Sequence, residues 1–184
     1  MKGIFYGIGI GPGDTEHITL KAVRMMKEVD VIAAPGTDVK ETLAYRIAVQ
    51  AVPEIEQKEM LPIDMPMTLD KEILVKAHKY GAETIEKVLA KGKNVGFITL
   101  GDTTVYSTFS YLEKIVKNHG FETVYISGIT SFCAAAASLG IPLTEWQEPL
   151  HVIPAVHQLG DQLDLDGSYV LMKSGRQMPK VKEI

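Results

Sequence analysis

The stretch GIFYGIGIGPGD, residues 3–14, is the most informative part of the sequence. Its first eight residues form a short apolar run, which is typical of a buried β-strand. The Gly-Pro-Gly-Asp that follows, residues 11–14, interrupts the run and predicts a tight loop. A helical pattern begins at Ile18, and Thr15 is the predicted N-cap of that helix. The stretch therefore predicts a strand, a loop and a helix in immediate succession.

The rest of the chain alternates between strands and helices in the same way. Such alternation predicts an α/β fold whose sheet is covered by helices on both faces. The predicted strands are residues 3–10, 29–34, 94–100, 121–126, 152–153 and 169–172, and the predicted helices are residues 18–29, 42–51, 70–91, 111–118 and 130–139. A boundary is predicted near residue 118, with an N-terminal α/β domain at residues 1–118 and a C-terminal α/β domain at residues 119–184.

Composition and charge exclude several classes of protein. Of the 184 residues, 46% are hydrophobic and 23% are charged, which excludes disorder for most of the chain. The net charge of -4 argues against a broad nucleic-acid surface, and the apolar stretch at residues 132–143 is too short to span a bilayer. We therefore predict neither a nucleic-acid nor a membrane partner. A single cysteine, Cys133, cannot form an internal disulfide, which fits a cytoplasmic protein.

The glycine-rich loop does not fit a dinucleotide-binding fingerprint. That fingerprint is G-x-G-x-x-G, and the registers that begin at Gly7, Gly9 and Gly11 place proline, aspartate and glutamate, respectively, at the third glycine position. Pro12 has no N–H to offer a phosphate, and Asp14 would repel one. The loop favours either close approach of a ligand that is not a pyrophosphate or a tight strand-to-helix turn.

Two further segments follow predicted strands with small polar residues. Residues 95–107, VGFITLGDTTVYS, predict a buried strand that ends in Gly101-Asp102. Ligands of open α/β sheets bind beyond the carboxyl ends of strands, although Asp102 is also a natural helix cap. Residues 127–137, SGITSFCAAAA, open a helix of small side chains, in which Cys133 is expected to be a core residue.

Other candidates are weaker. The five histidines have no metal-ligand spacing, so no metal site is predicted. Residues 60–67, MLPIDMPM, predict a loop before a long helix. This loop either packs on the core or forms a flexible apolar lip over a large flat ligand, because methionine adapts to irregular surfaces.

The three segments, in this order and spacing, resemble the tetrapyrrole methyltransferases, which use S-adenosylmethionine. Residues 9–22 resemble the first signature of that family, residues 95–107 the second and residues 128–137 the third. The second segment, together with residues 61–67, is also similar to the branch that methylates carbon 20 of precorrin-2 or cobalt-factor II in cobalamin biosynthesis.

This resemblance implies a two-domain fold with S-adenosyl-L-methionine, the methyl donor, in the cleft between the domains, usually in a homodimer. It implies a tetrapyrrole substrate, either precorrin-2 or cobalt-factor II. No catalytic residue is identified, and our hypothesis is that Asp102 orients the cofactor without acid–base chemistry. The residues implied to contact the cofactor are Pro12, Gly101, Asp102, Thr103, Val105, Tyr106, Thr130, Ser131 and Met172.

Two alternatives remain open. One is another methyltransferase of the same family, acting on uroporphyrinogen-III, a later corrin intermediate, ribosomal RNA or diphthamide. The other is a tetrapyrrole- or nucleotide-binding module without turnover. Members of the family usually extend further, with additional strands, so we expect the second domain to be incomplete here.

Overall fold

A computed structural model describes residues 1–154, 163, 165–175 and 179. The chain divides into two compact units, Met1–Ser131 and Phe132–Ile184. This division falls later than the boundary predicted near residue 118. The reason is that a strand at Thr123–Ile126 pairs with the first strand of the chain and so belongs to the sheet of the first unit.

Every predicted helix and strand is present, with ends that differ by a few residues. One additional strand, β3, and two short 3₁₀ turns, Thr15–His17 and Pro53–Gln57, complete the described elements. The strands are β1 (Phe5–Gly9), β2 (Val31–Pro35), β3 (Glu59–Ile63), β4 (Val95–Thr99), β5 (Thr123–Ile126), β6 (Leu150–Pro154) and β7 (Ser168–Met172), and the helices are α1 (Leu20–Glu28), α2 (Leu43–Ala51), α3 (Lys71–Leu89), α4 (Phe109–Asn118) and α5 (Ser131–Leu139).

Five strands of the first unit form a parallel sheet in the order β3-β2-β4-β1-β5. The register aligns Phe5 of β1 with Val95 of β4 on one side and with Thr123 of β5 on the other. Because parallel strands point the same way, the carboxyl ends of β4, β1 and β5 lie side by side. The loops that follow these three strands therefore share one end of the sheet.

β3 corrects the prediction of a loop at residues 60–67. It is an edge strand, and its Pro62 lies opposite Ala34 of β2. Proline has no N–H for a strand ladder and is confined to edge strands, which is the position that Pro62 has here. The prediction of a loop was therefore wrong for residues 60–63.

Helices cover both faces of the sheet, as predicted. One apolar cluster contains residues of α1 and α2 against the sheet, and the other contains residues of α3 and α4. In the second cluster, Gly7 of β1 leaves room for the ring of Phe109: a Cβ at this glycine would lie 2.5 Å from ring carbons. The Phe109 ring also meets the rings of Phe5 and Tyr125, at centroid distances of 4.9 and 4.8 Å.

The first helix begins later than the sequence indicated. Asp14 caps the 3₁₀ turn Thr15–His17 by accepting a hydrogen bond from the backbone N–H of Glu16, at 2.9 Å. Thr19, not Thr15, is the N-cap of α1, and its Oγ1 accepts a hydrogen bond from the N–H of Ala22 at 3.2 Å. The predicted cap was therefore wrong, because a separate 3₁₀ turn lies between the loop and the helix.

In the second unit, β6 and β7 form a parallel pair, with Val152 opposite Val170. Cys133 of α5 is exposed, so the expectation that it is a core residue was wrong; Ala134 and Ala136 are the buried members of that helix. Within the part of the chain that the structure describes, no helix combines the length and the apolar character needed to cross a membrane.

Candidate functional site

The loops after β1 and β4 are joined directly through their backbones. The N–H of Gly101 donates to the carbonyl of Gly11 at 2.8 Å, and the N–H of Gly11 donates to the carbonyl of Gly101 at 3.2 Å. Both glycines have positive φ values, 73° for Gly11 and 70° for Gly101, a conformation that is costly for residues with a Cβ. The glycine that follows β1 and the glycine that follows β4 are therefore hydrogen-bonded to each other.

The loop after β5 packs against the same point. A Cβ at Gly128 would lie 2.2 Å from the carbonyl oxygen of Gly101 and 2.8 Å from the carbonyl carbon of Gly9. A Cβ at Gly101, in contrast, would meet nothing closer than the carbonyl oxygen of Ile129, at 3.9 Å. Gly9 and Gly128 therefore allow three backbones to touch, whereas space remains beside Gly101.

Asp102 links the β4 and β5 loops through its side chain. This residue is buried, with 8% of its surface exposed. Its Oδ2 accepts a hydrogen bond from the N–H of Gly128 at 2.8 Å, and its Oδ1 accepts one from the N–H of Thr104 at 2.7 Å and another from the Thr104 hydroxyl. The fully buried Thr103 adds a second link, because its hydroxyl donates to the carbonyl of Ile126 at 3.3 Å.

The remainder of the β4 loop leads into α4. Val105 is half-buried, and Tyr106 is 43% exposed with a positive φ of 47°. A positive φ is uncommon in a residue with a Cβ, and such residues cluster at functional sites. Ser107 is buried, and its Oγ accepts a hydrogen bond from the N–H of Phe109 at 3.2 Å, which fixes the start of α4.

Two buried polar side-chain atoms have no hydrogen-bond partner among the described residues, Thr130 Oγ1 and His17 Nδ1. Thr130 follows β5, and His17 ends the 3₁₀ turn that follows the β1 loop, beside Gly11. Buried polar atoms are rarely unpaired in native proteins, so both atoms are candidate contacts for a group outside the described residues, such as a ligand. The sequence analysis included Thr130 but missed His17, because a lone histidine without metal-ligand spacing carries no signal.

The other predicted contacts are spread over both units. Pro12 is half-buried in the β1 loop, and Ser131 is exposed at the first residue of α5. Met172 is the last residue of β7, in the second unit. The structure thus brings Pro12 and the residues of the β4 and β5 loops together in the first unit, whereas Met172 belongs to a separate sheet.

A buried carboxylate anchors β5, the strand that leads to the third loop. Glu113 of α4 accepts hydrogen bonds from the Thr123 hydroxyl at 2.7 Å and the Tyr125 hydroxyl at 3.2 Å. Burial, and then the charge of Glu113, raise the pKa of Tyr125 above its ordinary value. Among the residues that the structure describes, no group of three or more potential metal ligands comes together.

Several known proteins are similar to this chain in sequence and in fold. The chain is 39% identical over 180 residues to the "Probable cobalt-precorrin-2 C(20)-methyltransferase" of Methanocaldococcus jannaschii, covering 97% of this chain and 76% of the relative. It is 31% identical over 189 residues to the cobalt-precorrin-2 C(20)-methyltransferase of Salmonella typhimurium, covering 100% of this chain and 78% of the relative.

Solved structures match the fold over nearly the whole chain. The cobalamin biosynthetic enzyme cobalt precorrin-4 methyltransferase aligns with a TM-score of 0.73 and 21% identity, covering 98% of this chain and 72% of that one. This likeness confirms the predicted α/β fold. The family model described as "Tetrapyrrole (Corrin/Porphyrin) Methylases" matches residues 5–184. The chain therefore belongs to the tetrapyrrole methylase family.

Proposed function

We propose that this protein transfers a methyl group from S-adenosylmethionine to carbon 20 of a precorrin-2-type tetrapyrrole, a step of cobalamin biosynthesis. The observation that carries the proposal is the 39% identity with a relative named for this reaction, which extends over 97% of the chain. The family is one of methylases, and the three motifs that carry the resemblance meet at one end of the sheet.

The residues at this end of the sheet fit the methyl donor. A nucleoside carries hydroxyl groups and ring nitrogens, which are suitable partners for the unpaired Thr130 Oγ1 and His17 Nδ1. The open side of Gly101 allows a ligand to lie against the backbone. We propose that the remaining contacts come from Pro12 and Tyr106, together with Thr103, Val105, Ser131 and Met172.

The protein's contribution to the reaction is positioning. When bound, S-adenosylmethionine supplies an electrophilic methyl group, and the substrate carbon is itself the nucleophile. Holding reacting atoms about 3–3.5 Å apart and in line can supply about 7–11 kcal/mol of a barrier. The paired loops of Gly11 and Gly101 are fixed by backbone hydrogen bonds and buried packing, as such positioning requires. The Asp102 carboxylate accepts three hydrogen bonds from the protein, which supports a structural role for it and not one in proton transfer.

We propose the cobalt-containing substrate as the natural one. The two relatives named for cobalt-precorrin-2 are 39% and 31% identical to this chain, whereas the precorrin-2 C(20)-methyltransferase of Sinorhizobium is 29% identical. The metal ion belongs to the substrate, so this preference requires no metal site in the protein. Parallel assays with cobalt-loaded and metal-free substrate test it, and an equal or faster rate with the metal-free form would contradict it.

We also propose that the protein acts in the cytoplasm as a homodimer. The first half of α3 has apolar side chains in solvent: Ile73 is 47% exposed, and Val75 and Tyr80 are each 65% exposed. Exposed apolar side chains grouped on one segment of a helix and rimmed by polar residues are typical of an interaction surface. A second copy fits this face because two-fold symmetry requires a self-complementary surface, and charges of both signs surround the apolar residues, at Lys71, Glu72, Lys76, Lys79 and Glu83.

Light scattering tests the dimer and its surface. The wild-type chain is expected to have the mass of two copies, and Ile73→Glu is expected to have the mass of one. Leu43→Glu, which places the same charge on an exposed leucine of α2, is the matched control and should remain dimeric. A monomeric wild type would contradict the homodimer, and a dimeric Ile73→Glu would contradict the surface.

Calorimetry with S-adenosylhomocysteine, followed by methyl transfer to cobalt-precorrin-2, tests the reaction itself. We expect micromolar binding of S-adenosylhomocysteine, no binding of NAD, and a product that carries one new methyl group at carbon 20. Binding without transfer to any tetrapyrrole would favour the non-catalytic binding module. Transfer to a different position would favour another methyltransferase of the family.

A further inference from the structure

Asp102 was implied to contact the cofactor, but both oxygens of its carboxylate are already hydrogen-bonded within the protein. Oδ2 accepts the Gly128 N–H, and Oδ1 accepts both the N–H and the hydroxyl of Thr104. The side chain is 8% exposed. A buried carboxylate whose two oxygens are already paired gains little from a further donor, whereas the loss of any one bond leaves a buried polar group unpaired.

The bond from Asp102 to Gly128 determines where the β5 loop lies. Gly128 follows β5 directly and is pressed against the carbonyl oxygen of Gly101, where even one additional carbon would lie 2.2 Å away. Without the hydrogen bond to Asp102, the part-buried N–H of Gly128 would lose its partner. The carboxylate therefore keeps the β5 loop in contact with the β4 loop.

Thr130 depends on this contact. It lies two residues after Gly128 in the same loop, and its buried Oγ1 has no partner among the described residues. A hydroxyl that binds a ligand must be held at the correct distance and angle, and the support of such a group determines how well it binds. Displacement of Gly128 would displace the Thr130 hydroxyl with it.

We propose that Asp102 is a positioning residue, which acts on the bound methyl donor through Gly128 and Thr130 and not by direct contact. This inference rests on the proposed function, because it takes S-adenosylmethionine as the ligand of Thr130. It replaces the hypothesis that the Asp102 carboxylate itself orients the cofactor. The carboxylate is the partner of a backbone N–H, and the Thr130 hydroxyl is the group that meets the ligand.

A double-mutant cycle tests the proposal, with the affinity for S-adenosylhomocysteine as the readout. Asp102→Asn keeps the shape of the side chain, but its NH₂ group cannot accept a hydrogen bond. In one orientation of the amide this group faces the backbone N–H of Gly128, and in the other it faces that of Thr104, so one hydrogen bond is lost in either case. We expect Asp102→Asn and Thr130→Val each to weaken binding about tenfold or more. In the Thr130→Val background, Asp102→Asn should add less than about threefold, because the hydroxyl that it positions is gone.

The matched control is Asp70→Asn. Asp70 also accepts backbone hydrogen bonds through its carboxylate, from Glu72 and Ile73 at the start of α3, and it is not part of the proposed site. Its affinity for S-adenosylhomocysteine should equal that of the wild type. Additive losses in the cycle, or wild-type affinity of Asp102→Asn, would overturn the proposal. Failure of the wild type to bind would instead overturn the proposed function.

A measurement on the wild-type chain covers the case in which Asp102→Asn does not fold. The carboxyl ¹³C resonance of Asp102 reports contacts of that group with a ligand. A positioning role predicts that saturation with S-adenosylhomocysteine leaves this resonance unchanged while the Thr130 resonances shift. A shift of the Asp102 carboxyl resonance as large as that of Thr130 would show direct contact and overturn the proposal.

Discussion

Replacement of Gly7 by alanine should strain the centre of the first unit. The new Cβ would lie 2.5 Å from two ring carbons of Phe109, about 1 Å closer than ordinary van der Waals contact. The ring has little freedom to move away, because it is fully buried and packed against Phe5 and Tyr125. Overpacking of this kind lowers the free energy of unfolding by about 1–3 kcal/mol, and we expect a loss of about 3 kcal/mol for Gly7→Ala.

The strain should be relieved when the obstructing ring becomes smaller. Phe109→Leu alone is expected to cost about 1–2 kcal/mol, because it leaves a partly filled cavity. In the double variant, the methyl group that Gly7→Ala introduces occupies part of that cavity. The combined loss should therefore be smaller than the sum of the two single losses by about 1–2 kcal/mol.

Urea unfolding followed by circular dichroism measures these differences. With a slope of about 2 kcal/mol per molar urea, Gly7→Ala should lower the unfolding midpoint by about 1.5 M. Gly175→Ala is the control, since a Cβ there would meet nothing within 4 Å, and it should leave the midpoint nearly unchanged. Strict additivity of Gly7→Ala and Phe109→Leu would refute the reasoning, because it would mean that the two side chains do not compete for space.

Three further predictions concern the loops and the helices. Gly128→Ala should abolish measurable binding of S-adenosylhomocysteine in calorimetry, because its Cβ would lie 2.2 Å from the carbonyl oxygen of Gly101; unchanged binding would contradict the packing described. Thr19→Ala should lower the free energy of unfolding by about 1 kcal/mol, since it removes the N-cap of α1, whereas Thr19→Ser should restore most of it. Burial lowers the pKa of His78, which stacks on Tyr111, below its ordinary value of 6.5, so the folded state binds fewer protons there than the unfolded state. Stability should therefore fall as the pH drops from about 7.5 to about 5.5, and His78→Phe should make the urea midpoint less dependent on pH over that range; an unaltered pH dependence would count against this assignment.

The alternating fold could be predicted because its signals are local. Strands β1, β2 and β4 are nearly continuous apolar runs between loop residues, and α3 has a clear helical period that ends at a glycine. β3 escaped prediction because its Pro62 is typical of a loop, and only the edge position in the sheet makes proline acceptable in a strand. In β3, the position of the strand in the tertiary structure outweighed the local preference for a loop, and the local sequence does not reveal that position.

The candidate site was predictable in part for the same reason. Each of the three motifs places glycine after a strand, and these loops meet in the structure. The sequence could not indicate that Asp102 is paired with the N–H of Gly128, because that bond joins residues far apart in the chain. Nor could it distinguish His17 from the other histidines, since its unpaired nitrogen is a consequence of packing.

The place of β1 between β4 and β5 has a consequence for the order in which the sheet can form. Phe5 is synthesised well before its partners Val95 and Thr123. At about 5–20 residues per second, β1 waits for about 6–24 seconds before both of its neighbours exist. During that time β2, α2 and β3 can already associate, since they lie close together in the chain. The apolar N-terminal strand is thus the part of the nascent protein that most needs protection from aggregation, and the sheet closes around it last.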